Sequence, residues 1–304
     1  MVFFDFIQMP LTLAIPYTIA FIALLIGSYT DFKTREVPDW ANFGLIAAGF
    51  GINLLFSVIY WKINFIIGSI VGFAIFFAIA WIMFYTGQWG GGDSKILMGL
   101  GAMIGIDIFS KKIPFLADFL INALVIGALY GILWSFLLIA KNRKKFIKSF
   151  RKLNNSKKII LAKKIVLVLF FVFVFIALLV PETFVRLISI YLALITALTF
   201  YLWLAVKAVE DSCMLKFVKP QQLTEGDWIA KEIKVGGKYI TGPKDLGIEK
   251  KQINKLISLY KKRRIKNVLI KEGIPFVPSF FIAYVITLVS GNMVFLFFCY
   301  YLVS

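Results

Sequence analysis

The sequence contains no histidine, only two cysteines, and few charged residues: 16% of 304 positions. The missing histidine removes Ser-His-Asp and Cys-His catalysis, helical zinc-protease motifs and haem ligation by imidazole. Cys213 and Cys299 stand too far apart in the chain to form a four-ligand zinc site. No disulfide between them is expected, because the topology derived below puts them in different environments. The low charge goes with 60% hydrophobic residues, among them 32 phenylalanines. Soluble domains hold about 45–50% apolar residues, so this chain has too little polar surface for a water-soluble enzyme. Any chemistry must come from carboxylates, hydroxyls, tyrosines or basic side chains, without metal or cofactor.

Apolar runs bounded by charge, glycine or proline predict eight membrane spans. They lie near 11–30, 41–60, 65–87, 94–109, 116–140, 160–180, 185–207 and 275–302. The first lysine is Lys33, so the first span lacks the basic flank of a cleaved signal peptide and is expected to be retained. With the N-terminus outside, 30 of the 34 Lys and Arg residues fall in inner loops. Only Lys62, Lys111, Lys112 and Arg186 fall outside. This bias agrees with the positive-inside rule and sets the expected orientation.

The span map divides the chain into five parts: a membrane core over 1–140, a basic cytoplasmic segment over 141–164, an additional pair of spans over 165–207, a small module over 208–274, and a final span over 275–304. The expected class is an all-α polytopic membrane protein with a small cytoplasmic α+β module. The 141–164 segment interleaves basic residues with Phe, Ile and Leu, as a helix on anionic lipid does. A nucleic-acid partner is not expected. In the module, IAKEIKVGGKYITG alternates around Gly236-Gly237, predicting a hairpin. A helix is predicted within Ile248 to Lys266, followed by a short strand at NVLI.

Ionisable residues at membrane depth are costly and mark functional sites. Two acids stand at span edges on the same expected side. Asp31 ends the first span in GSYTDFKTREVPDW, and Asp93 opens the fourth in QWGGGDSKILMGLGAMIG. Two adjacent carboxylates share a proton; one can activate water as a base while the other polarises a carbonyl. Gly90, Gly91 and Gly92 give the backbone before Asp93 freedom to approach a substrate strand. Taken alone, GGGD also fits a loop whose Asp caps the next helix. Lys33, Arg35 and Lys95 are inner-face anchors, of which Arg35 and Lys95 are also placed to tune the acids. Gly101 and Gly105 form a small-xxx-small packing face. Asp107, Asp118 and Glu182 fall on the outer side, away from the site.

TDFKTREVPDW together with GGGDSKILMGLGA resembles the prepilin and preflagellin peptidases, the GxGD membrane aspartic proteases, and most of all their archaeal branch. IPFVPSF is similar to the entry of that family's last span. The resemblance covers about 1–140 and 273–302. It implies that Asp31 and Asp93 are the catalytic acids, with Gly90 and Gly92 the motif glycines. It further implies removal of a short basic leader from pilin- or archaellin-like precursors at the cytoplasmic face of the cell membrane. Bacterial members carry paired cysteines in an N-terminal cytoplasmic region and methylate the new amino terminus; this chain lacks those cysteines, so peptidase activity alone is expected. Smaller archaeal members have six spans, so the pair at 165–207 and the 208–274 module are additions. Two alternatives stay open: a presenilin- or signal-peptide-peptidase-like protease, and a cation-coupled transporter using the two acids.

Overall fold

The computed structural model describes residues 10–109 and 113–296. It is helical apart from two small sheets. Among the described residues, six helices are long and apolar enough to cross a membrane. The chain divides into two compact units, one of residues up to Gly131 together with those from Gly273 onward, the other Ile132–Glu272.

The first unit holds α1 (Leu11–Thr34), α2 (Asp39–Ile59), α3 (Asn64–Tyr85), α4 (Gly91–Ile104), the first half of α5 (Phe115–Lys141) and, from the far end of the sequence, α10 (Val277–Ser290). Helix α4 lies at its centre: Ile96, Leu97, Leu100, Ala102 and Met103 are all buried, packed with Leu24, Phe76, Phe119, Phe280 and Tyr284. Small residues allow this depth. A Cβ on Gly72 of α3 would stand 2.3 Å from the Gly101 carbonyl oxygen, and one on Gly49 of α2 would stand 2.6 Å from the Met103 nitrogen. The backbones of α2 and α3 therefore touch that of α4 directly, as small-residue faces permit in membranes.

At 14 residues, α4 is about 21 Å long, shorter than the roughly 20 residues a span requires. The expected fourth span at 94–109 thus starts earlier and ends sooner, at Gly105, whose φ of 69° breaks the helix. The terminal carbonyls of α4 find partners inside the protein. Asn53 Nδ2 donates to the Ala102 and Met103 oxygens at 3.2 and 3.0 Å, and Ser69 Oγ donates to the Ala102 oxygen. The Ala102 and Met103 carbonyls are thereby satisfied within the protein. The final span expected at 275–302 is described only in part: α10 ends at Ser290, and residues beyond 296 lie outside the described ones, Cys299 among them.

The second unit continues α5 and adds α6 (Arg143–Asn154), α7 (Lys157–Leu179) and α8 (Thr183–Glu210). Helices α6 and α7 both pack on α8. Of the basic segment expected at 141–164, Arg143–Asn154 forms a separate amphipathic helix that turns at Asn155, while its lysines from Lys157 onward open α7. Beyond α8 lies a module with β1 (Leu215–Val218), β2 (Trp228–Ile229), β3 (Ile233–Val235), β4 (Lys238–Thr241), α9 (Lys250–Lys261) and β5 (Val268–Lys271). Strand β5 is central in an antiparallel sheet of order β1-β5-β2, pairing Val218 with Val268 and Trp228 with Lys271. Strands β3 and β4 form the hairpin around Gly236 and Gly237, both in the left-handed region its turn demands. Ile248, Leu256, Val268 and Ile270 fill the small core. Glu210 at the end of α8 pairs with both Lys207 and Lys271, tying the sheet to the helix.

Candidate active site

Asp31 lies in the last turn of α1. Arg35, in a left-handed conformation (φ 63°), caps that helix by donating its N–H to the Asp31 carbonyl. The chain then reverses through Val37 and Pro38 into α2. The Asp31 side chain points inward and is only 6% exposed, so this carboxylate is shielded from bulk water. Its Oδ2 accepts the Val277 N–H at 3.0 Å. Val277 opens α10 and precedes Pro278, so the acid occupies the N-terminus of that helix, where free donors and the helix dipole favour negative charge.

Asp93 stands at the third position of α4. Its Oδ2 accepts the Gly90 N–H at 2.9 Å, the reach-back bond of a capping box. Each acid therefore holds a backbone donor on Oδ2, and the Phe276 N–H adds a second backbone donor to Asp31.

Glycines and one valine bring the two turns together. One turn before Asp31, a Cβ on Gly27 would stand 2.8 Å from Ile96 Cδ1 and 3.3 Å from Val277 Cγ1. Gly92 lies under Val37, with a would-be Cβ 3.3 Å from the valine Cβ. Asp31 and Asp93 lie close enough to interact electrostatically. The acids are 62 positions apart in the chain; the end of α1 and the start of α4 join them.

The three glycines of GGGD have different surroundings. A Cβ at Gly90 would meet Asp93 Oδ2 at 3.2 Å, and one at Gly92 would press on Val37. At Gly91 the nearest atom is 3.9 Å away, ordinary contact distance. Lys95 turns away from the acids: its Nζ pairs with Asp39 Oδ1 at 2.6 Å and lies 5.1 Å from the centre of the Phe43 ring. Arg35 interacts electrostatically with Asp31.

Sequence reading missed three contributors. Val277 supplies the donor to Asp31, and the signal for it is Pro278, a residue typical of a helix's first turn and hence a marker of exposed N–H groups. Gly27 gives α1 its close approach to α4, but it reads as one more small residue in a span. Tyr130 of α5 interacts electrostatically with both Asp31 and Arg35; a tyrosine in an apolar run gives no hint of this.

Residues 18–132 match the model of the Type IV leader peptidase family. Both acids and all three glycines lie within that segment. A preflagellin peptidase of Methanocaldococcus jannaschii is 40% identical over 90 residues, which cover 30% of this chain and 38% of that protein. One of Methanococcus voltae is 41% identical over 90 residues, with the same coverage. The chain thus spans less than two fifths of the length of the curated relatives it matches. No solved structure matches it.

Proposed function

Because residues 18–132 match the model of the type IV leader peptidase family, we propose that this chain is a member of it, a membrane aspartic endopeptidase cutting basic leaders from pilin- or archaellin-like precursors. The observation that carries the reading is the juxtaposition of Asp31 and Asp93 at the end of α1 and the start of α4, each carboxylate accepting a backbone N–H. One carboxylate, ionised, takes a proton from water; the other, protonated, donates to the scissile carbonyl oxygen. Water then adds to the carbonyl carbon, and the proton passes to the departing amine as the C–N bond breaks.

In this reading the chain is a multi-pass protein of the cell membrane with eight spans and its N-terminus outside. Both acids then face the cytoplasm, where an unprocessed leader resides, and the charge bias of the loops supports that side. The product keeps an unmodified amino terminus, since peptidase activity alone is proposed.

The test is a cleavage assay in membranes with a leader-bearing precursor. Asp31→Asn and Asp93→Asn each abolish product formation while the protein still inserts. Cleavage that survives either change would reject the dyad, and a cation flux lost in both would instead favour a transporter.

A further inference from the structure

Val37 is wedged between the two turns that carry the acids. Its Cγ1 lies 3.7 Å from where a Cβ would stand on Gly27, one turn before Asp31, and its Cβ and Cγ2 lie 3.3 Å from the same position on Gly92, directly before Asp93. We propose that Val37, held in place by Asn42, is a positioning residue whose branched side chain sets how closely the Asp31 turn approaches the Asp93 turn, and with it the rate of peptide-bond cleavage. The proposal rests on the peptidase reading above and adds two residues to it.

Stiffness is the first argument. Residues 35–38 alone link α1 to α2, so the chain has little slack at Val37. Pro38 follows, which confines the valine to extended backbone, and branching at Cβ restricts its side-chain rotamers. The residue is buried, with one γ-carbon toward each acid's turn. A spacer of this kind has a fixed width.

Asn42 supplies the second. This residue of α2 is fully buried, and its Nδ2 donates to the Val37 carbonyl oxygen at 3.3 Å. Its Oδ1 is buried as well and accepts no hydrogen bond among the described residues. An acceptor left so costs about 1–3 kcal/mol, which a leucine of the same branched outline would avoid. The bond to Val37 is what leucine could not make. Asparagine at this position costs stability and fixes the loop that separates the acids.

The test uses full-length protein in lipid nanodiscs, with thermal unfolding measured beside cleavage of a leader-bearing precursor. Val37→Ala removes both γ-carbons and should lose roughly tenfold in kcat with KM little changed, less than the 100-fold or so of a 1 Å misplacement. Val37→Thr buries a hydroxyl and should lower the unfolding temperature as well. It keeps the branched outline, however, and should hold kcat within about twofold of wild type. Asn42→Leu should unfold no earlier than wild type and still lose kcat several-fold. A valine that merely filled the core would give another pattern, with kcat following stability through all three variants. That pattern, or Asn42→Leu at full kcat, overturns the proposal. Wild-type protein that cuts no leader-bearing precursor sinks the peptidase reading itself.

Discussion

The Asp31 carboxylate accepts the Val277 N–H at 3.0 Å, linking the last turn of α1 to the first turn of α10 across 246 positions of chain. An acid proposed for catalysis that also caps a helix has two separable jobs. Asn keeps a carbonyl oxygen for Val277 but cannot share a proton with Asp93. Asp31→Asn should therefore abolish leader cleavage with thermal unfolding in detergent near that of wild type. Asp31→Ala should abolish cleavage and also lose a cap worth about 1 kcal/mol. Equal unfolding temperatures for the two variants would show that the Val277 bond adds nothing to stability.

The GGGD glycines separate by their surroundings. An alanine at position 90 places a methyl group 3.2 Å from Asp93 Oδ2 and displaces the carboxylate it should hold. A misplacement near 1 Å costs on the order of 100-fold in rate; the few tenths of an ångström that Gly90→Ala demands of the Asp93 carboxylate should cost less, roughly several-fold in kcat. Gly92→Ala presses on Val37 and should lose less, while Gly91→Ala, with open space, should retain cleavage close to wild type. Initial rates of the three variants on one precursor check the order.

Burial of α4 depends on contacts that no side chain can enter. A Cβ at Gly101 would stand 2.5 Å from the Gly72 carbonyl oxygen, whereas one at Gly44 on α2 meets nothing within 4 Å. Gly101→Ala should destabilise by about 1–3 kcal/mol, the usual cost of overpacking. Gly44→Ala should be neutral or stabilise by roughly 0.5–1 kcal/mol through helix propensity. Unfolding in the same detergent decides both.

Much of this architecture could be read from local signals. Apolar runs located the long helices, and the Gly236-Gly237 pair located a hairpin whose turn needs positive φ at both residues. The NVLI strand was legible too, because β-branched residues follow a charged helix. What escaped was set by tertiary contact. Helix α4 stops at Ile104, before Gly105 turns to a φ of 69°, and α2 and α3 supply Asn53 and Ser69 to its last carbonyls; neither of those two residues marks a helix end in its own segment. Strands β1 and β2 are four and two residues long, and only pairing with β5 defines them. Of the candidate site, the acids and glycines stand out in the sequence as motifs at the edges of expected spans. The donor Val277 does not, since its role follows from α10 returning to α1.

The small module has its own testable core. Leu256 of α9 is fully buried among Ile248, Val268 and Ile270. Leu256→Ala should cost about 2–5 kcal/mol of local stability. Limited proteolysis should then cut within residues 215–271 faster than in wild type, while α1–α4 stay protected. Unchanged proteolysis of the module would mean that this core does not hold the sheet together.

Lys95 lies two residues beyond Asp93, and proximity in sequence invites a direct role on the acids. Its ammonium instead pairs with Asp39 at 2.6 Å, joining the second turn of α4 to the first turn of α2. The pair is solvated, with side-chain exposures of 36% and 70%, and such bridges contribute about 0–1 kcal/mol. Lys95→Met and Asp39→Asn should each leave most cleavage activity, and a double-mutant cycle on unfolding should return a coupling energy inside that range. If Lys95→Met abolished cleavage while Asp39→Asn did not, the lysine would be acting on the carboxylates rather than on α2, and its place in the site would have to be redrawn.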